Sequence, residues 1–437
     1  MPRTATRTAP SKRAPSKRTA TRNSAATSVD LPRARAFWLH QQGLSKGQSG
    51  TVEDVITRTG WLRTLGGVDA YLAALARVPT LEPGHLDDAL KSGRVQVTPA
   101  VRGCMYVVPR AHVPLVMKVA ETQSLPRLER DLEKAGVPRK EVDEIARGVL
   151  AALKKAPLST EGLRKALPAG LVRSLGERGK KVGMSSALPV ALRFLEFEGK
   201  IVRLAETGRL DTERYVWRVA ERNPFEGADI PRDTPGRVRA LAEIFVRQFG
   251  PVTAKEFSAW SGFGVRDGVA AFAQLPVTRV AVEGHADDAV VLDEHVALLR
   301  EGAPHDLNHF TFLPGEDNVL TVHDGPALLT HPRHHDVEIA VWGNTRGSTL
   351  GTAKHIGVRT IISADGLLGF WDYDATRKKL ALTTLEKLPA ARQKALEGAA
   401  HGVASFLTTL GHARSFSLDT DEEVARRAQA VRDFVRR

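Results

Sequence analysis

The chain has 437 residues, 42% of them apolar. That is too long for one ordinary core and apolar enough to fold, so about two to four domains are implied and wholesale disorder is excluded. Lys and Arg outnumber Asp and Glu by 63 to 50, a net charge of +13 that points to an anionic partner, nucleic acid first. The single cysteine, Cys104, excludes an internal disulfide and a cysteine-based zinc site and fits a reducing cytoplasm or nucleoid; no apolar run reaches the roughly 18 residues of a membrane span.

Residues 1–29 hold seven of those charges (Arg3, Arg7, Lys12, Arg13, Lys17, Arg18, Arg22) and no acid, which leaves +6 for the rest. The segment repeats APSKR and has Val29 as its one aliphatic residue larger than alanine before Leu31, so disorder is expected there. A phosphate-binding arm is the first reading and a passive tail the second. A targeting presequence comes last, because Pro10 and Pro15 break its helix.

After Asp30 the pattern turns globular. Helices are predicted over Leu31–Gln42, Val52–Thr59, Val68–Arg77 and Glu82–Lys91, then strands at Val95–Val97 and Cys104–Val108. Short helices followed by a two-stranded hairpin is the order of a winged helix. It recurs with helices at Lys140–Lys154, Thr160–Leu167 and from Ser185 or Ser186 to Glu198, and strands at Ile201–Leu204 and Tyr215–Val219, around a wing-like Glu206–Arg214. A third copy has Arg237–Phe249, Lys255–Trp260 with Thr253 as cap, Val265–Gln274, and strands at Val277–Val282 and Ala289–Leu292. From about His305 short strands are expected at Val319–Val322, Val337–Trp342, Thr360–Ser363, Leu367–Tyr373 and Lys379–Thr384, the third and fourth joined at Asp365-Gly366, a hairpin-turn signal. Ala390–Leu410 and Asp421–Arg437 read as helices. The fold class is thus α+β, with three tandem winged-helix (helix-turn-helix) domains and a C-terminal β-barrel-like domain. The expected boundaries are 1–29 for the tail, then 30–122, 123–232, 233–302 and 303–437.

Three stretches carry a family likeness: Thr59–Arg77 (TGWLRTLGGVDAYLAALAR), Arg102–Pro109 (RGCMYVVP) and Gly366–Asp374 (GLLGFWDYD). Together they resemble the AlkZ-like winged-helix DNA-binding family, over most of residues 31–385. The resemblance implies a positively charged cleft for DNA, and it includes glycosylases that unhook interstrand crosslinks. Those enzymes carry Gln-x-Gln or Gln-x-Asp before a helix ending in Arg. Here one register puts the pair at Asp69 and Tyr71, the other at Arg63 and Leu65, and neither supplies the glutamines. Tyr106 also stands where many relatives have His.

Trp61 and Arg63 fall in the segment matching the family's cleft, where Trp61 is either a base-stacking group or ordinary core. Arg102 is expected to contact phosphate, as are Arg178, Lys180 and Lys181 before the second recognition helix. Arg203 and Arg209 sit around its wing and Arg266 starts the third. Trp342–His355 contributes Arg346 and Lys354 among three glycines. Asp69 and Glu316 are the carboxylates that could activate water, although adjacent Glu316 and Asp317 are expected to point apart and Asp69 is better suited to adding charge to a helix's first turn. His323, His331, His334, His335 and Asp336 cluster in sequence but lack a metal-binding motif, so no metal and no cofactor are expected. The expectation is a monomeric, cytoplasmic or nucleoid protein, with no membrane contact, that binds duplex or damaged DNA. The alternative is a glycosylase excising alkylated bases or unhooking crosslinks. A dimeric repressor is a third and weaker reading.

Overall fold

Among the described residues five sheets organise the fold: three of three strands, one of four and one of two. The computed structural model describes residues 27–45, 49–212, 214–304, 306–323, 325–341 and 344–434. Most of the basic tail, and with it all seven of its cations, lies outside the described residues. Its last three residues do not: Thr27–Val29 form strand β1, and Val29 is buried. The tail as read from composition therefore ends three residues early, because Val29 has an apolar surface to join.

Helix α1 (Leu31–Gln41) follows, started by the Asp30 side chain, which accepts a hydrogen bond from the Arg33 amide. Next come α2 (Val52–Thr59), β2 (Leu62–Arg63), α3 (Asp69–Arg77), α4 (Pro83–Lys91), β3 (Val95–Pro99) and β4 (Met105–Pro109). The strands form a sheet in the order β2-β4-β3, with Arg63 opposite Tyr106. The long helix α5 (Val113–Ala135) leads out of this unit.

The second unit contains α6 (Arg139–Leu153), β5 (Leu158–Ser159), α7 (Thr160–Ala166), α8 (Gly176–Lys180), α9 (Leu188–Phe197), β6 (Ile201–Ala205) and β7 (Tyr215–Val219), with sheet order β5-β7-β6. Its core is its own: Val142, Ile145, Val149, Leu188, Leu192 and Trp217 pack together. The segment expected as an open wing is folded back instead. Leu210 and Asp211 are buried, the Leu210 amide donates to the Tyr71 hydroxyl at 2.9 Å, and the Gly67 amide donates to the Asp211 carbonyl at 2.8 Å.

The third unit has α10 (Thr234–Phe249), α11 (Ala254–Ser261), α12 (Val265–Phe272), β8 (Val277–Val282), β9 (Ala286–Leu292) and α13 (Val296–Glu301). Thr253 and Glu256 start α11 with a reciprocal capping box. Strand β1 pairs in parallel with β8, and Phe37 and Trp38 of α1 pack on Val280, Val282 and Val291. So α1 belongs with the third sheet in space, although it precedes the first in sequence.

The remainder holds β10 (Thr311–Leu313), α14 (Asn318–Thr321), β11 (Glu338–Val341), β12 (Asn344–Thr349), β13 (Arg359–Ser363), β14 (Gly366–Asp374), β15 (Lys379–Thr384), α15 (Ala390–Leu410) and α16 (Asp421–Arg432). Two expectations fail here. Among the described residues there is no closed barrel: four strands pair in the open order β10-β13-β14-β15. Helices cover both faces of β14, since Trp371 and Tyr373 share a core with Leu407 of α15 while Phe370 shares one with Ala428 and Val431 of α16. Closure is not needed to bury the sheet. The strand expected at Val319–Val322 is the helix α14, started by Asp317, whose side chain accepts from the Val319 amide. The architecture is mixed α+β. Among the described residues, no helix is long and apolar enough to cross a membrane.

Candidate functional site

Four of the residues singled out in the sequence meet at one small pocket, where the first sheet adjoins the C-terminal region. Trp61, Arg63, Leu65, Asp69, Glu316 and Asn318 line it, and it encloses about 20 Å³. That is space for a water, not for a nucleobase. Strand β2 delivers Arg63, and the loop before α14 delivers Glu316. The Arg63 guanidinium forms an ion pair with the Glu316 carboxylate, both largely buried. Asp317 does point away from its neighbour: it takes two hydrogen bonds from Arg77, at 2.8 and 2.9 Å, with both side chains buried. Asp69 stands in the first turn of α3 and accepts from Arg359 at 3.2 Å. Burial raises its carboxyl pKa above the ordinary value, against the pull of Arg359. Trp61 is only 2% exposed. Its indole donates to His112 Nδ1 at 3.0 Å, and its carbonyl accepts from Asn318 at 2.8 Å. Burial lowers the His112 pKa, so the ring that accepts this bond is neutral at pH 7.

Residues 67–406 match the family described as DNA glycosylase AlkZ-like. The chain belongs to that family. No curated protein matches it. Among solved structures it is similar to the Streptomyces sahachiroi DNA glycosylase AlkZ. The two are 18% identical with a TM-score of 0.64, over 89% of this chain and 98% of that one. That likeness is one of fold.

Of the two registers for the glutamine pair, one puts both positions, Arg63 and Leu65, on the pocket wall. The other puts only Asp69 there, because Tyr71 is buried and donates its hydroxyl to Asp87 at 2.5 Å. A guanidinium only donates hydrogen bonds and an isobutyl group does neither, so neither replaces a glutamine amide as an acceptor for water.

The other predicted residues are spread around the molecule. Arg102 is exposed and holds a left-handed backbone, with φ of 56° and ψ of 18°, which costs a non-glycine residue about 1 kcal/mol or more. Gln123 holds it there, accepting from the Arg102 amide at 2.8 Å and donating to the Ser261 carbonyl at 2.6 Å. Burial raises the pKa of Tyr106, against the pull of Arg63 and Arg102. Arg178, Lys180 and Lys181 are exposed on and just after α8, with Lys180 paired to Glu177 at 2.6 Å. Arg266 is exposed on α12, beside Val265 and Val269, which are 46% and 57% exposed.

Arg203 and Arg209 are not open cations. Arg203 pairs with buried Glu196 at 2.8 Å. Arg209 binds Asp211 and donates to the Leu410 carbonyl at 2.7 Å. Burial raises the Asp211 pKa, but bonds from His412 and Arg209 outweigh it and hold the carboxyl at about 2. This is a clasp between units rather than a free wing tip. Lys354 is exposed, Arg346 lies on β12, and Trp342 and Gly343 fall outside the described residues.

The histidine cluster read in the sequence does not converge. His334 meets Glu386 at 2.7 Å and His335 meets the Ala327 carbonyl at 3.2 Å, while His323 is buried elsewhere. Sequence reasoning missed Arg77, Asn318 and Arg359. Arg77 closes α3 as a basic last-turn residue, a signal that was present. Asn318 and Arg359 gave none.

Proposed function

We propose that this AlkZ-like protein binds duplex or damaged DNA and does not excise the base. The observation that carries the reading is the Arg63–Glu316 ion pair inside the pocket. Excision needs an acceptor to orient water at the sugar, and the guanidinium occupies that place and neutralises the adjacent carboxylate.

Three winged helices, over 30–122, 123–232 and 233–302, are the binding modules. Sheet orders β2-β4-β3 and β5-β7-β6 support this, as does the bridge Val252 to Val290 that extends the third sheet beyond β9. A region over 303–437 backs them. Arg102, Arg178, Lys180, Lys181, Arg266, Arg346 and Lys354 contact phosphates. On α12, Val265 and Val269 lie beside Arg266 and suit contact with thymine methyl groups. The protein works as a monomer on DNA in the cytoplasm or nucleoid.

Anisotropy titration with a labelled duplex tests this, with and without an alkylated base. The expected result is micromolar or tighter binding that weakens with salt and weakens further in Arg102→Ala. Absence of binding to either duplex at low salt would reject it.

Glycosylase activity is the second reading, and one observation favours it. Asp69, its pKa raised by burial, lines the same pocket as Glu316, so a carboxyl that holds a proton more readily than an ordinary aspartate adjoins a water-sized space.

A further inference from the structure

Far from the pocket in sequence, three side chains that could bind metal converge on one point. Glu256 lies on α11, His285 in the turn between β8 and β9, and His323 just after α14. One potential ligand atom from each lies within 4.8 Å of the others. The Glu256 carboxylate oxygen Oε1 is 3.0 Å from His323 Nδ1 and 3.3 Å from His285 Nε2. Zinc bonds of about 2.0–2.2 Å to nitrogen and carboxylate oxygen give tetrahedral edges of about 3.3 Å. The His285 edge has that length, and the His323 edge, a hydrogen bond of 3.0 Å without the ion, falls a few tenths short of it.

The surroundings fit a metal site. His323 and Glu256 are 2% and 5% exposed and His285 is 10%. His285 Nε2 is buried and makes no hydrogen bond, although it stands 3.3 Å from the carboxylate oxygen. A buried ring nitrogen without a hydrogen-bond partner is costly, and lone pairs that converge on an ion do not point at one another. The other carboxylate oxygen, Oε2, is held by the Thr253 amide at 2.6 Å and hydroxyl at 2.9 Å, which fixes the direction of Oε1. Trp38 stacks on the His323 ring with centroids 4.1 Å apart and meets the His285 ring edge-on at 5.8 Å. Its indole is tied to the Pro251 carbonyl at 3.1 Å. Both imidazoles are thus oriented by one anchored aromatic.

We infer that Glu256, His285 and His323 form a binding site for a zinc-class divalent cation, with two imidazole nitrogens and one carboxylate oxygen as ligands. The donor set is of borderline softness and suits zinc better than calcium or magnesium. The ion would join α11, the β8–β9 turn and the end of α14, whose first residue, Asn318, lines the pocket. Its role is to hold that turn and that helix in place. The spacing 256, 285 and 323 matches no metal-binding motif because each ligand comes from a different element.

The test uses full-length protein without a histidine tag, stripped with chelator, dialysed, then titrated with Zn²⁺ and separately with Co²⁺. The expected result is about one zinc per chain retained through gel filtration, a visible tetrahedral cobalt band, and a higher melting temperature. Glu256→Gln keeps an oxygen for the capping box, and His285→Gln and His323→Gln keep polar side chains. Each should weaken zinc binding by roughly tenfold or more while circular dichroism shows a folded chain. Retention of less than about a tenth of an equivalent by the wild type would overturn the site. So would zinc binding that survives in the folded His285→Gln/His323→Gln double variant, or that is lost instead in His331→Ala/His334→Ala.

Discussion

The first and second sheet units share a strand order and differ in what surrounds them. The second has a separate core, and its cations Arg178, Lys180 and Lys181 are exposed. The first merges its core with the third unit and the C-terminal helices, where Tyr71, Val107, Phe245, Trp371 and Leu407 belong to one cluster. Its charged residues lie at that junction: Arg77 with Asp317, Arg63 with Glu316, Asp69 with Arg359. The same scaffold thus supports two uses of charge. At a buried junction an ion pair fixes geometry, and on an open face a cation remains available to phosphate.

Breaking a junction pair gives the largest effect. Arg77→Met leaves Asp317 buried without its partner and should cost about 3–5 kcal/mol in urea unfolding. The exposed pair of Arg173 with Glu141, at 3.0 Å in the second unit, should cost less than about 1 kcal/mol in Arg173→Ala. Equal costs would erase the contrast between the units.

The clasp of the second unit's hairpin is the exception that sharpens it. Asp211→Asn should destabilise by about 2 kcal/mol at pH 7, since it weakens charge-assisted bonds from Arg209 and His412. The folded Asp211 pKa of about 2 lies below its ordinary value of 3.8. Its contribution is therefore complete above the ordinary value and disappears as pH falls through about 2. Stability curves of wild type and variant should converge over that acid window and stay parallel above it.

Smaller effects are expected on the open face. Replacing Arg178, Lys180 and Lys181 together with Ala should lower the slope of log affinity against log salt by about 3, with unfolding free energy changed by less than about 0.5 kcal/mol. A change in stability without a change in slope would place these cations outside the DNA contact. Arg102→Gly should raise stability by up to about 1 kcal/mol by relieving the left-handed backbone, and should still weaken DNA binding. A loss of stability would mean that the Arg102 side chain serves the fold.

Local chemistry made much of the fold readable. Thr253 and Glu256 announce α11, Asp365-Gly366 announces the β13–β14 turn, and the apolar spacing of Val142, Ile145, Val149 and Leu153 announces α6. Helix α5 was hidden because its buried residues bunch at the two ends and Pro126 sits inside it. The run Val319–Val322 is too short for periodicity to separate strand from helix, and the cap from Asp317 decides it. At the site, Trp61, Arg63, Asp69 and Glu316 were legible as candidates one by one. Their meeting was not, because Arg63 and Glu316 are 253 residues apart. The Glu256–His285–His323 cluster escaped for the same reason, and the local run of histidines drew attention to the wrong partners.

In the binding-only reading the Arg63–Glu316 ion pair removes one of the pocket's two candidate bases, and the other, Asp69, held by Arg359, does not activate water. Single-turnover release of 7-methylguanine from duplex DNA, with protein in excess, tests it most directly. The expected result is abasic sites formed no faster than in buffer for the wild type, under conditions where binding is saturated. Release well above buffer by the wild type, abolished in Asp69→Asn with DNA affinity unchanged, would contradict it.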